Sequence, residues 1–134
     1  MGVDILKYDG KGYKPIVDFN DWRVAILNPA ETGTREAVRF FERHLETDEV
    51  FVLLKGSVIL VHAGDKQEPS TPQIIKMESD IVYNVRQATW HTTIMEQDSK
   101  ILIVENKDTS RENSEMATIP EEIKNKILSR LERE

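Results

Sequence analysis

The chain contains no cysteine. That removes disulfides and thiolate metal ligands together, so any bound metal must be held by imidazole nitrogen and carboxylate oxygen. Long apolar runs are missing too. The longest, Val50–Leu54 and Val58–Val61, are strand-sized and far short of the roughly 20 residues that cross a bilayer as a helix. Basic residues are outnumbered, 18 Lys and Arg against 24 Asp and Glu for a net charge of −6. They form no stripe, so neither nucleic acid nor a membrane is an expected partner. The opening MGVDILKYDG lacks the basic and apolar regions of a secretory signal and carries aspartates that a transit peptide avoids. Met1-Gly2 is not followed by the serine or threonine of a myristoylation signal. The expected location is cytoplasmic. Also absent are a phosphate-binding glycine loop and a nucleophile elbow.

What is present is an ordinary globular composition, 39% hydrophobic and 31% charged over 134 residues, enough for one domain. Most of it reads as short strands punctuated by turn residues. Trp22–Leu27 stops at Asn28-Pro29, and Glu31–Thr34 is a loop. In Ala37–Leu45, the side chains of Val38, Phe40, Glu42 and His44 share one face; Phe41 shares the other with Arg39 and Arg43, two arginines expected to be solvated or subunit-facing. Glu49–Leu54 and Ser57–Ala63 flank Lys55-Gly56 as the strongest hairpin signal. Past the polar loop Ala63–Thr71 come Gln73–Met77, Ile81–Val85, Thr89–Met95 and Lys100–Glu105, the last two joined by Glu96–Ser99 as an expected hairpin loop. Trp22 and Trp90 are expected in the core, and His62 at a solvent or subunit surface.

So many short strands without an intervening helix point to an antiparallel barrel or jelly roll. Asn106–Glu115 reads as a polar linker. Pro120–Arg133 follows it, with Ile123, Ile127, Leu128 and Leu131 at helical spacing, glutamates at the start and arginines near the end. Such a helix is too short to stand alone in water and needs a surface to cover. The expected division is an N-terminal strand or arm over 1–21, a barrel over 22–106, and the linker and helix over 107–134.

Histidines are few: His44, His62 and His91. Glu42 and His44 are two apart on a strand and project from the same face, and Glu49 opens the next strand. Phe40, Phe51 and Leu53 share that parity and are expected as the apolar wall of a ligand pocket that Tyr83 can also reach. Two imidazoles and one or two carboxylates suit Zn, Fe, Mn, Ni or Co. Without a metal, two glutamates converging in an apolar barrel need a raised pKa or a cationic partner, for which Arg86 is the expected residue.

The stretch from Glu42 to Gly56 resembles the first signature of the cupin superfamily, which runs histidine, one residue, histidine, three or four residues, glutamate, six residues, glycine. His44, Glu49 and Gly56 occupy its second histidine, glutamate and glycine, and Glu42 stands at the first histidine. Gly33 lies three residues from the place of its opening glycine. Asp80 to His91 resembles the second signature. His91 keeps its histidine, Asp80, Arg86 and Ala88 replace its glycines and proline, and Met95 replaces its asparagine.

The resemblance covers roughly Trp22 to Glu105. It implies an all-β fold, a double-stranded β-helix (jelly-roll) cupin barrel, here with a short C-terminal α-helix. It also implies a divalent metal among His44, Glu49 and His91, with Glu42 as a fourth ligand, a general base or an ion-pair partner, and it favours a homodimer. The implied activity is a metal-dependent isomerase, lyase or oxygenase acting on a small polar metabolite, with Glu42 or Glu49 moving the proton. A non-catalytic barrel that binds a sugar or an organic acid, or a purely structural dimerisation barrel, stays open beside it.

Overall fold

The computed structural model describes residues 2–30, 35 and 38–132. Four features expected from the sequence lie outside the described residues: the Glu31–Thr34 loop with Gly33, Ala37 at the head of its strand, and Arg133 at the helix end. Among the described residues there are ten strands and one α-helix: β1 (Tyr13–Phe19), β2 (Trp22–Leu27), β3 (Phe40–His44), β4 (Glu49–Lys55), β5 (Val58–His62), β6 (Gln73–Lys76), β7 (Val82–Val85), β8 (His91–Met95), β9 (Lys100–Asn106), β10 (Ser114–Thr118) and α1 (Glu121–Glu132). None of these helical residues forms a segment long and apolar enough to cross a membrane.

The strands form two five-stranded antiparallel sheets. The first runs β1-β2-β9-β4-β7 and the second β10-β3-β8-β5-β6. This is a jelly-roll barrel, and its topology corrects two local expectations. β4 and β5 do not pair as a hairpin, and neither do β8 and β9; at each junction the chain crosses from one sheet to the other. A tight turn looks the same locally in either case, and only the ladder partners decide. The two crossings press together. Gly56, at φ +81, lies where an added Cβ would come within 2.6 Å of the Ser99 Cα, so both the positive φ and the close approach demand glycine there.

Between the sheets lies a core of Ala25, Phe51, Leu53, Val58, Leu60, Val85, Ile101 and Ile103, among others. A second core lies outside the second sheet, where α1 lays Ile127 and Leu131 on Phe41, Ile59, Val61, Trp90 and Ile94. This explains why β5 is apolar on both faces: Val58 and Leu60 point inward while Ile59 and Val61 point to the helix.

Arg43, expected to be solvated or subunit-facing, is instead buried over the Trp90 ring and paired with Glu115, and other departures sit at the edges. Trp22 is 43% exposed rather than buried, tilted against exposed Phe19 at the first sheet's outer edge. The expected linker over 106–115 is built into the barrel. Arg111–Asn113 forms a 3-10 turn capped by Ser110, and β10 then pairs along the whole of β3. Its polar composition hid the strand, because an edge strand with one face toward water needs little apolar content.

Candidate metal centre

Strand alternation assembles the site. In the second sheet Glu42 lies directly across from His91, and His44 across from Ser114. In the first sheet Glu49 opens β4, and Glu105 follows Ile101 and Ile103 on the inward face of β9. Imidazoles therefore come from one sheet and two carboxylates from the other, with Glu42 beside the imidazoles. His44, Glu49, His91 and Glu105 are all buried, whereas the Glu42 side chain is 43% exposed and faces the cavity mouth.

Glu49 is the centre. Its Oε1 lies 2.9 Å from His91 Nε2 and 3.1 Å from His44 Nε2. His44 Nε2 is also 3.5 Å from Glu42 Oε1 and 3.9 Å from Glu105 Oε1. The outer ring nitrogens are anchored. His91 Nδ1 donates to the Thr89 carbonyl at 2.9 Å, and His44 Nδ1 lies 2.7 Å from Ser114 Oγ. Glu105 is held in turn by Arg23, whose Nε and Nη2 donate to its Oε2 at 3.0 and 2.6 Å, and by the Tyr13 hydroxyl.

With Nδ1–H of His91 committed to a carbonyl, a neutral ring presents a lone pair at Nε2, facing a carboxylate oxygen at 2.9 Å. Two acceptors at that distance require a cation between them, either a proton or a metal ion. The electrostatics of the protonated form follow. Burial disfavours the charge on Glu49, but hydrogen bonds from His44 and His91 outweigh it and hold the carboxyl down at about 2. Burial likewise works against imidazolium at His44 and His91, and Glu49 overcomes it at both, raising their pKa. Glu105 is pushed up by burial and then by the charge of Glu49, against the pull of Tyr13 and Arg23.

The donor atoms fit a divalent ion. One atom each from Glu42, His44 and His91, and likewise from His44, Glu49 and Glu105, lie within 4.8 Å of one another. Second-layer partners at Thr89 and Ser114 are of the kind that orient metal-binding imidazoles.

The cluster floors a cavity of about 440 Å³ whose walls include Phe40, Phe51, Thr93 and Met116, with Arg111 at its rim. Glu42, His44, Glu49, His91, Phe40 and Phe51 thus come together. The other expected pocket residues do not join them. Leu53 packs into the inter-sheet core, and Tyr83 and Arg86 line a different cavity. Arg86 is exposed, and the cation that meets the buried acids is Arg23. β7 is an edge strand and Arg86 lies in the loop beyond it, so no alternation fixed their direction. Glu105 was missed although Ile101, Ile103 and Glu105 share strand parity, which is the signal that finds it. Tyr13 and Arg111 carry no comparable sequence signal.

No protein-family profile matches the chain, and no curated protein matches it in sequence. Solved structures do resemble it. A cupin-2 domain protein from Shewanella frigidimarina is 19% identical over 75% of this chain and 85% of its own, with a TM-score of 0.55. The QdtA 3,4-ketoisomerase from Thermoanaerobacterium thermosaccharolyticum, solved with TDP, is 15% identical over 74% of this chain and 68% of its own, at 0.57. The cobalt(II) form of HppE with its substrate is 17% identical over 78% of this chain and 58% of its own, at 0.52. Two antiparallel sheets rolled into a barrel, an outline shared with these structures, give the chain the cupin fold.

Proposed function

We propose that this barrel binds one divalent metal ion through His44, Glu49 and His91, with Glu42 beside it, and that a small polar metabolite binds in the cavity above. One observation carries the reading: His91 Nε2 and Glu49 Oε1 face each other at 2.9 Å while His91 Nδ1 is already spent on a backbone carbonyl. A mixed nitrogen and oxygen set suits Zn, Fe, Mn, Ni or Co. When bound, such an ion supplies a Lewis acid for a carbonyl, enol or hydroxyl oxygen.

The chain's own residues divide the remaining work. Glu42, half-exposed at the mouth, is the carboxylate placed to move a proton of the bound metabolite. Glu49, locked between two imidazoles, holds position. Phe40 and Phe51 keep part of the cavity dry. Metal-assisted proton transfer of the isomerase or lyase type is the chemistry this arrangement supports.

The test is metal content after purification without chelator. One equivalent per chain is expected, with a stabilisation of about 2.7 kcal/mol at a hundredfold excess over Kd, lost in His91→Ala. Absence of metal, together with no thermal response to added Mn, Fe, Ni or Zn, overturns the proposal. Retained metal without proton exchange in candidate metabolites would instead favour the non-catalytic binding barrel.

A homodimer is also proposed, formed on the outer face of the first sheet. Alternation places Val24, Ile26, Val50, Val52, Leu102 and Val104 there, opposite the inward Ala25, Phe51, Leu53, Ile101 and Ile103. The helix covers only the other sheet.

A further inference from the structure

A second cavity, of about 520 Å³, opens beside β6 and β7, the two strands that end the sheets on this side of the barrel. It is larger than the cavity over the metal cluster and does not share its lining. Its inner wall is apolar, made by Leu60, Ile75 and Val85 with the Tyr83 ring beside them.

The polar groups at this cavity are unlike those of the metal cluster. His62 sits directly across the β5–β8 ladder from His91, on the same inward face. His91 is bonded at both ring nitrogens, whereas half-buried His62 makes no hydrogen bond among the described residues. Nor does the hydroxyl of Thr89, whose carbonyl is the one that holds His91. The Arg86 guanidinium at the rim makes no hydrogen bond or ion pair there either, although the charge of Asp48 acts across to it. Among the described residues no unbonded side-chain nitrogen or oxygen is sealed from solvent, so these three groups are open to whatever enters the cavity. An apolar wall with an imidazole, a hydroxyl and a guanidinium left open above it is the usual make-up of a small-ligand site. One guanidinium and one imidazole lining the same cavity match a single carboxylate. Asp65, also at the rim, disfavours a dianion such as phosphate.

We propose that this second cavity binds a small monocarboxylic acid with an apolar body, its carboxylate between Arg86 and His62 and its body against Leu60, Ile75 and Val85. The site is separate from the metal cluster and does not depend on a metal being bound.

Calorimetric titration of the full chain with benzoate, in the presence of a chelator, tests this. Saturable binding is expected, about tenfold weaker in Arg86→Gln, the loss of one charge-assisted hydrogen bond. Benzamide and inorganic phosphate should bind far more weakly than benzoate. Phe40→Ala, at the mouth of the other cavity, should leave benzoate binding unchanged. The proposal is overturned if benzoate gives no saturable heat, if Arg86→Gln binds it as the parent does, or if Phe40→Ala is the variant that loses it. Failure to find metal in the protein would leave all of these outcomes readable.

Discussion

The two sheets share a strand count and an antiparallel pattern, yet they are finished differently on both sides. Inside, the second sheet offers His44, His91 and Glu42, while the first offers Glu49 and Glu105 with Arg23 behind them. The site exists only where the two layers meet, with the imidazole nitrogens of one on the Glu49 oxygen of the other. Outside, the second sheet is sealed by α1, whereas the first leaves valines and a leucine half-exposed around a buried Ile26. A half-exposed apolar sheet face of this kind is what the proposed homodimer would cover. The difference teaches that the described helix lies on the sheet that carries the histidines, where packing on the outer side backs the strands that aim them.

The largest effect should come from breaking that seal. Phe41 is 2% exposed between the second sheet and the helix, so Phe41→Ala should cost about 3–5 kcal/mol. Val52→Ala, the matching truncation on the first sheet's outer face, should cost about 1 kcal/mol or less in dilute protein, since its methyls are already partly in water. Equal losses in urea melts would mean that the first sheet's outer face is as well covered as the second's.

The join between the sheets comes next. In chelated protein, Glu49→Gln removes the anion that two buried imidazoles share, and about 3 kcal/mol of stability should go with it. Its pH dependence has a definite sign. The Glu49 carboxyl titrates below its ordinary value of 4.5 in the folded chain, so its contribution is present above about pH 4.5 and fades as pH falls toward 2. His44 and His91 titrate above their ordinary 6.5, so theirs is full below about pH 6.5 and fades as pH rises through the raised values. Glu105, raised by burial and Glu49, works against Glu49 at the acid end. Urea midpoints of the chelated parent should therefore peak between about pH 4.5 and 6.5, and the Glu49→Gln profile should be flatter on both sides. An unchanged profile would detach the two layers.

The same contrast explains what the sequence could reveal. Inward positions repeat every second residue, so Glu42, His44 and Phe51 could be placed from alternation within a single strand. Glu105 obeyed the same rule and could have been placed with them. What alternation cannot supply is the sheet to which a strand belongs. The turns at Lys55-Gly56 and Glu96–Ser99 look like hairpins, and only long-range ladders turn them into crossings. Arg86, Tyr83 and the 107–115 segment were misplaced for a related reason. They belong to edge strands and the loops beside them, where one face meets water or a cavity and the apolar signal fades.

The smallest effect on the isolated fold should be the most telling about the uncovered face. Val52 lies in the middle strands of the first sheet's outer row, between Leu102 and Val82. Val52→Lys should leave the monomer's stability within about 1 kcal/mol, because a lysine stem can lie along the sheet with its ammonium in water. In a dimer joined through this face the two lysines would be buried near each other without partners, and a buried unpaired charge is strongly unfavourable. Light scattering after size exclusion should find the parent as a dimer and Val52→Lys as a monomer, with the benzoate and metal titrations unchanged. A variant that stays dimeric would move the interface off this face, and a parent that is already monomeric at high concentration would leave the two sheets different in composition but alike in having no partner.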